Sequence, residues 1–168
     1  RSFNSQNIAM TNYALTNFGN YNEGQTNTFE GCSGYLRIDR SGSDISMPNT
    51  VNLTLTGTAT NGVDIQTTGN QPFPAQINFP ANVSFVDIPY TIINDGNPDN
   101  SETFIIQAPL SCPCDANQIF VNLTLNLYEQ YQLSSVSALN VTCNGQNNGT
   151  ITLNATGGSG SYLYSINN

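Results

Sequence analysis

The chain has 168 residues, of which 38% are hydrophobic, 10% aromatic and only 8% charged, with Asn, Thr, Ser and Gly standing where charge would be usual. Three arginines, no lysine and eleven acids give a net charge of −8, which excludes phosphate-neutralising contacts with nucleic acid and disfavours anionic membrane surfaces. Without His there is no Ser-His or Cys-His nucleophile pair and no imidazole metal ligand, while the apolar content suffices for one core.

Residues 1–24 are polar and weakly patterned, with isolated Phe3, Ile8, Tyr13, Leu15 and Phe18 among asparagines. They are expected to be a linker or the tail of an upstream domain, with room for a short strand around Ile8–Leu15. From Thr26 the strand signals become regular. Tyr35–Arg40 alternates and is closed by Ser41-Gly42-Ser43. Thr50–Thr60 places Val51, Leu53 and Leu55 between polar residues, the two-residue period of a strand with one buried face. Asn61-Gly62 then supplies the positive backbone angles of a tight turn that presents Asp64 on its far side.

A weak segment at Asp64–Thr68 and a short one at Gln76–Phe79 lead into Val86–Ile92, whose Pro89 lacks an amide donor and marks an edge or bulge. A second acidic turn, Asn94–Glu102, precedes Phe104–Ala108, and Ile119–Leu127 has the clearest alternation in the chain. Short strands separated by turn residues, with no sustained helical period, predict an all-β, antiparallel β-sandwich. After a boundary at Glu129–Ser135, Leu139–Cys143 and Thr150–Ala155 predict a hairpin across Asn144–Gly149, with a further strand beginning at Gly157. That is an incomplete small β-module, since so few strands are marginal alone.

Glu30-Gly31, the Leu36–Gly42 strand, Gly57–Asp64, Phe79-Pro80-Ala81, Ile92–Asp95 and Glu102-Thr103-Phe104 occur in the order seen in Calx-β domains, and residues 25–129 resemble that Ig-like sandwich family. Val141–Ser165 closely resembles the first half of a SprB repeat, the module of gliding-motility adhesins and other giant surface proteins of Bacteroidota. Arg1–Asn22 resembles the junction after a choice-of-anchor L domain. The expected division is 1–24 linker, 25–129 Calx-β-like sandwich and 130–168 the N-terminal part of a SprB-like repeat.

The resemblance implies a non-catalytic adhesive or structural module of a large cell-surface protein, exported through the type 9 secretion system to the exterior of the outer membrane. Its expected partners are neighbouring modules of the same chain, the secretion and gliding machinery and surface glycans. No membrane insertion is expected, since no apolar run approaches a helical span. The rival reading is a carbohydrate-binding accessory domain of a secreted polysaccharide-active protein. A glycoside hydrolase built on paired carboxylates is disfavoured because the acids cluster in turns.

Calx-β domains that bind calcium take ligands from positions matching Glu30, Asp64, Asn94, Asp95 and Asp99, so Glu30, Asp64, Asp95 and Asp99 are the candidate Ca2+ ligands. Asn94 stands where the family often has Asp, Gly96 where a third acid can follow, and Glu129 is the one acid near the end of the match. Fewer carboxylates imply a weaker site. The bland alternative is that Asp64 and Asp95 cap turns and Glu102 anchors a loop.

In an exported chain, Cys32, Cys112, Cys114 and Cys143 suggest disulfides. Cys32 opens the first strand and Cys112 and Cys114 precede the last, so Cys32 is expected to pair with one of them. Cys143 is expected to pair with a Cys beyond residue 168, because SprB repeats usually carry a second Cys. Six Asn-x-Ser/Thr triplets fall largely on the polar faces of strands and reflect composition. The Tyr and Phe residues are expected in the core rather than on a sugar-stacking platform.

Overall fold

The computed structural model describes residues 12–19, 26–41, 45–95, 101–110, 119–158 and 162–165. Their strands are β1 (Asn12–Phe18), β2 (Asn27–Phe29), β3 (Ser33–Ser41), β4 (Asn49–Asn52), β5 (Thr54–Gly57), β6 (Ile65–Thr67), β7 (Gln76–Phe79), β8 (Phe85–Ile92), β9 (Glu102–Pro109), β10 (Phe120–Tyr128), β11 (Gln132–Leu139) and β12 (Thr150–Thr156). One four-stranded sheet has the order β1-β3-β8-β6 and a second has β2-β10-β9-β5. A ribbon of β4 and β7 adds to the sandwich, and β11 with β12 forms a separate hairpin.

Period-two alternation decides which side chains face inward. Leu36 and Ile38 of β3 and Ile88, Tyr90 and Ile92 of β8 are buried from one sheet. Phe104, Ile106 and Ala108 of β9 and Leu125 and Leu127 of β10 are buried from the other. Val51, Ile77 and Phe79 of the ribbon join the same cluster. Phe73 packs edge-on against Phe104 with ring centroids 5.7 Å apart, a favoured aromatic geometry. The expectation of core aromatics holds for Tyr13, Phe73, Phe79, Tyr90 and Phe104 and fails for Phe85, Phe120, Tyr131 and Tyr164, which are exposed.

Residues 12–18, expected to belong to a linker, are an edge strand of the sandwich: β1 pairs antiparallel with β3 from Asn12↔Ser41 to Phe18↔Tyr35. Its polar composition hides this role because one buried position is an asparagine. Asn17 is 1% exposed and its Oδ1 accepts a 2.7 Å hydrogen bond from the Tyr90 hydroxyl. Burial raises the Tyr90 phenol above its ordinary pKa, with the bond to Asn17 acting the other way.

The single strand expected over Thr50–Thr60 is two strands in different pairings. β4 pairs with β7, and β5 pairs with β9. Alternation runs through the switch because Val51 and Leu53 both face the core, so the sequence pattern carries no mark of the change of partner. The sandwich is also not wholly antiparallel, since β2 runs parallel to β10 (Asn27↔Asn126, Phe29↔Tyr128).

In the second module, β11 pairs with β12 from Gln132↔Thr156 to Leu139↔Thr150. The first strand thus lies earlier than the expected Leu139–Cys143. A register shift between Leu133 and Ser135 spaces Leu133 and Val136 by three residues, which breaks the alternation that a strand reading relies on. The further strand expected from Gly157 is absent among the described residues 162–165.

Arg40 is the polar keystone of one end. It is 3% exposed, and its guanidinium donates to four carbonyl oxygens: Val83 at 2.7 Å, Met47 at 3.0 Å, Ile45 at 3.0 Å and Pro80 at 2.9 Å. It also lies 5.2 Å from the centre of the Phe79 ring. Arg37, on the opposite face of β3, forms a bidentate pair with Asp87, both N–O distances being 2.8 Å. Its guanidinium stands 4.1 Å from the Phe85 ring centre and 5.2 Å from that of Phe18.

Candidate functional site

The Gly57–Asp64 segment is built by backbone demands. Gly57 has φ +120°, and a Cβ there would lie 2.1 Å from the Thr103 carbonyl oxygen, so the chain passes β9 at a distance only glycine permits. The same carbonyl oxygen accepts the Ala59 N–H at 3.0 Å. Gly62 takes φ +86° and Asn61 does not adopt a positive φ. The side chain of Asn61 instead clasps Phe73 from both sides, accepting its N–H at 2.7 Å and donating to its carbonyl oxygen at 2.9 Å.

Asp64 closes this turn. Its Oδ2 accepts the Thr60 N–H at 2.6 Å, and its own N–H donates to Thr60 O at 3.0 Å. The turn-capping role is therefore present. Asp64 also lines a small cavity of about 10 Å3 together with Glu30, Glu102 and Glu129, walled by Ile92, Ile93, Leu127 and Tyr128. That space is roughly what one water needs.

Three chain segments meet there. Glu30 N–H donates to Tyr128 O at 2.9 Å and Gly31 N–H to Ile92 O at 2.9 Å, so the turn after β2 ties the ends of β10 and β8. Ile93 N–H donates to Asp64 O at 2.8 Å and brings in the turn before β6. Gly31 makes this crossing at φ +73°. Glu30 is 8% exposed, so its carboxylate is withdrawn from water at the junction of the two sheets.

Of the expected ligand set, the structure brings Glu30 and Asp64 to one cavity. Asn94 and Asp95 are exposed after β8 and do not line it. Asp99 lies outside the described residues. Glu102, read as a loop anchor, and Glu129 complete the acidic wall. Glu102 opens β9 opposite Leu127 of β10, which places it at the same sheet end as Tyr128 and Glu129. The sequence signal for it is the acid directly before an alternating strand.

Carboxylate oxygens suit calcium in kind, and no arginine lines the cavity. The geometry is not that of an assembled shell: among the described residues no three Asp, Glu or Cys side chains are placed to hold a metal ion. Of the cysteines, Cys32 is a half-buried free thiol and Cys143 an exposed one. Cys112 and Cys114, the expected partners of Cys32, lie outside the described residues. Away from the cavity, the Arg37 guanidinium beside Asp87 holds that carboxyl below its ordinary pKa.

This chain is similar in fold to three solved structures. It matches the crystal structure of the apo form of a Calx CBD1 domain with 21% identity and a TM-score of 0.49, covering 72% of this chain and 98% of that one. It matches CBD12 from CALX1.2 with 20% identity and a TM-score of 0.45, covering 65% of this chain and 45% of that one. The structure described as the calcium binding domain CBD12 of CALX1.1 gives 21% identity, a TM-score of 0.45 and the same coverages, 65% and 45%. The chain thus spans less than half the length of those two CBD12 structures. No curated protein matches. Residues 131–168, which contain the β11–β12 hairpin, match the family model described as SprB repeat.

Proposed function

We propose that this chain is a non-catalytic stretch of a large adhesin on the surface of a Bacteroidota cell, exported through the type 9 secretion system. In this reading a β-sandwich holds the neighbouring repeat away from the cell. The observation that carries it is the SprB-repeat match over residues 131–168, directly after the last strand of the sandwich. The composition agrees: charge is scarce and the polar strand faces are Asn- and Thr-rich, which gives a hydrated surface of low specific stickiness.

Surface labelling tests this reading. An antibody raised against the chain is expected to stain intact cells of the producing organism, and staining is expected to vanish when type 9 secretion is disabled. Staining confined to lysed cells defeats the proposal.

A second reading is that the acidic cavity takes calcium, favoured by the gathering of Glu30, Asp64, Glu102 and Glu129 around one small space. Because among the described residues no three acids are close enough to hold one ion, uptake would require the walls to close in, and the expected affinity is low.

A further inference from the structure

The outer face of the first sheet carries a second feature, which shares only Ile93 with the lining of the acidic cavity. Successive residues of β8 alternate in the direction of their backbone bonds: Ile92 N–H donates to Cys32 O towards β3, and Ile93 N–H donates to Asp64 O towards the β6 side. Odd-numbered residues therefore address β6, and Pro89 is one of them. The β6–β8 ladder ends at Thr67↔Tyr90, one step before the position where Pro89 could offer no donor. The chain leaves the sheet there through Thr68, Gly69 and Asn70, the last two with φ +80° and +59°.

This departure opens a groove of about 370 Å3, within the usual size range of small-ligand sites. Its floor is the cross-strand row Ser33, Thr91 and Gln66 with exposed Pro89 beside it, and its wall is the turn at Thr68–Asn70. No residue lining it is charged. A charged ligand would lose hydration without gaining a counter-charge.

Ser33 Oγ and Thr91 Oγ1 share one hydrogen bond at 2.9 Å. Two hydroxyls joined by a single bond retain one donor and three acceptor lone pairs for a guest. Gln66 is held in place by donation from Nε2 to Gly62 O at 2.8 Å. Donors and acceptors thus lie beside an apolar proline ring, the pairing that suits a polyol with one C–H-rich face. A peptide adding as a further strand would meet Pro89, where the ladder lacks its N–H.

We propose that this groove binds a neutral saccharide of one or two units. The site goes beyond the adhesin reading and stands or falls separately from it, because surface labelling does not depend on sugar binding.

The test is titration of the isotope-labelled chain with cellotetraose and with mannotetraose, followed by amide NMR, with tetragalacturonate as the acidic comparison. At least one neutral sugar is expected to shift the Ser33, Thr67 and Thr91 amides, and tetragalacturonate is expected to bind at least about tenfold more weakly. Ser33→Ala with Thr91→Ala is expected to weaken binding about tenfold. Thr68→Trp, a change at an exposed turn position that fills the groove from above, is expected to abolish it with an unchanged melting temperature. No response to either neutral sugar overturns the proposal. So do shifts that map to the Phe18–Phe85 face, equal binding of the acidic sugar, or full binding by the Thr68→Trp chain.

Discussion

The carbonyl oxygen of Glu129 accepts the N–H of Gly158 at 2.8 Å, while the Glu129 side chain lines the acidic cavity of the sandwich. One residue therefore lines the sandwich's cavity and is bonded to the turn that follows β12. Gly157 makes the approach possible. It has φ +82°, and a Cβ there would fall 2.2 Å from Gln130 O. Gly157→Ala is expected to open this junction. Amide exchange at Gly158 should rise at least about tenfold while protection in β9 and β10 stays unchanged; unaltered exchange at Gly158 would contradict the assignment.

The Gly57 crossing yields a sharper stability test. Gly57→Ala combines a left-handed backbone with a collision against main chain, which no rotamer change relieves. Urea unfolding should show a loss of about 2–3 kcal/mol. Gly69→Ala is the contrast: its φ is also positive, yet nothing lies within 4 Å of the added carbon, so only the smaller backbone cost of about 1 kcal/mol is expected. Equal losses for the two would refute the crowding argument.

The two arginines of β3 should behave oppositely when removed. Arg40→Met removes a buried donor shared by four part-buried carbonyl oxygens, of which Ile45 O and Pro80 O keep the N–H of Asn82 and Val83, at a cost of about 2–3 kcal/mol by the usual penalty for lost charged hydrogen bonds. Arg37→Met removes an exposed pair, and its melting temperature should fall far less. Thermal melts of the two variants decide the point.

Acid and alkali act on different groups. The Asp87 carboxyl is held below its ordinary value of 3.8 by Arg37. Its contribution is therefore present above that value and is lost as pH falls through the lowered one, and Asp87→Asn should remove this part of the acid dependence. Burial raises the phenols of Tyr13 and Tyr90 above 10.0. Stability from keeping them neutral is present below pH 10.0 and is lost as pH rises through the raised values. Stability profiles across both limits, with Tyr90→Phe for the alkaline arm, provide the measurement.

For the acidic cavity, chelation is expected to lower the melting temperature by about 3 °C or more relative to excess calcium, with magnesium less effective. Glu30→Gln combined with Asp64→Asn should erase the difference. An identical melt with and without chelator eliminates the calcium reading.

Much of the sandwich was legible because alternation records burial directly. Leu36 and Ile38, or Leu125 and Leu127, could not occupy these spacings by other means at comparable cost. What alternation does not record is the partner. Val51, paired with β7, and Leu55, paired with β9, reach one core, and nothing in their types distinguishes the two neighbours. Asn17 concealed β1 because its burial is satisfied by a tyrosine seventy-three positions away. In the sequence Glu102 reads as a loop anchor and Glu129 as a lone acid at the end of the match, since only the meeting of sheet ends makes them neighbours of Glu30. The bulge beside Leu133 hid β11 by shifting the phase of a pattern that is otherwise present.

The parallel pairing of β2 with β10 has a mechanical consequence. Strands that run in the same direction, one early in the chain and one late, are pulled past each other lengthwise once tension reaches them from opposite ends, which on the N-terminal side must first release β1 from β3. The bonds across Asn27↔Asn126, Thr28↔Leu127 and Phe29↔Tyr128 are then loaded together rather than opened one after another. An antiparallel closure at this place would peel like a zipper under the same load. Loaded in that direction, these three residue pairs would act as a latch that yields only as a unit.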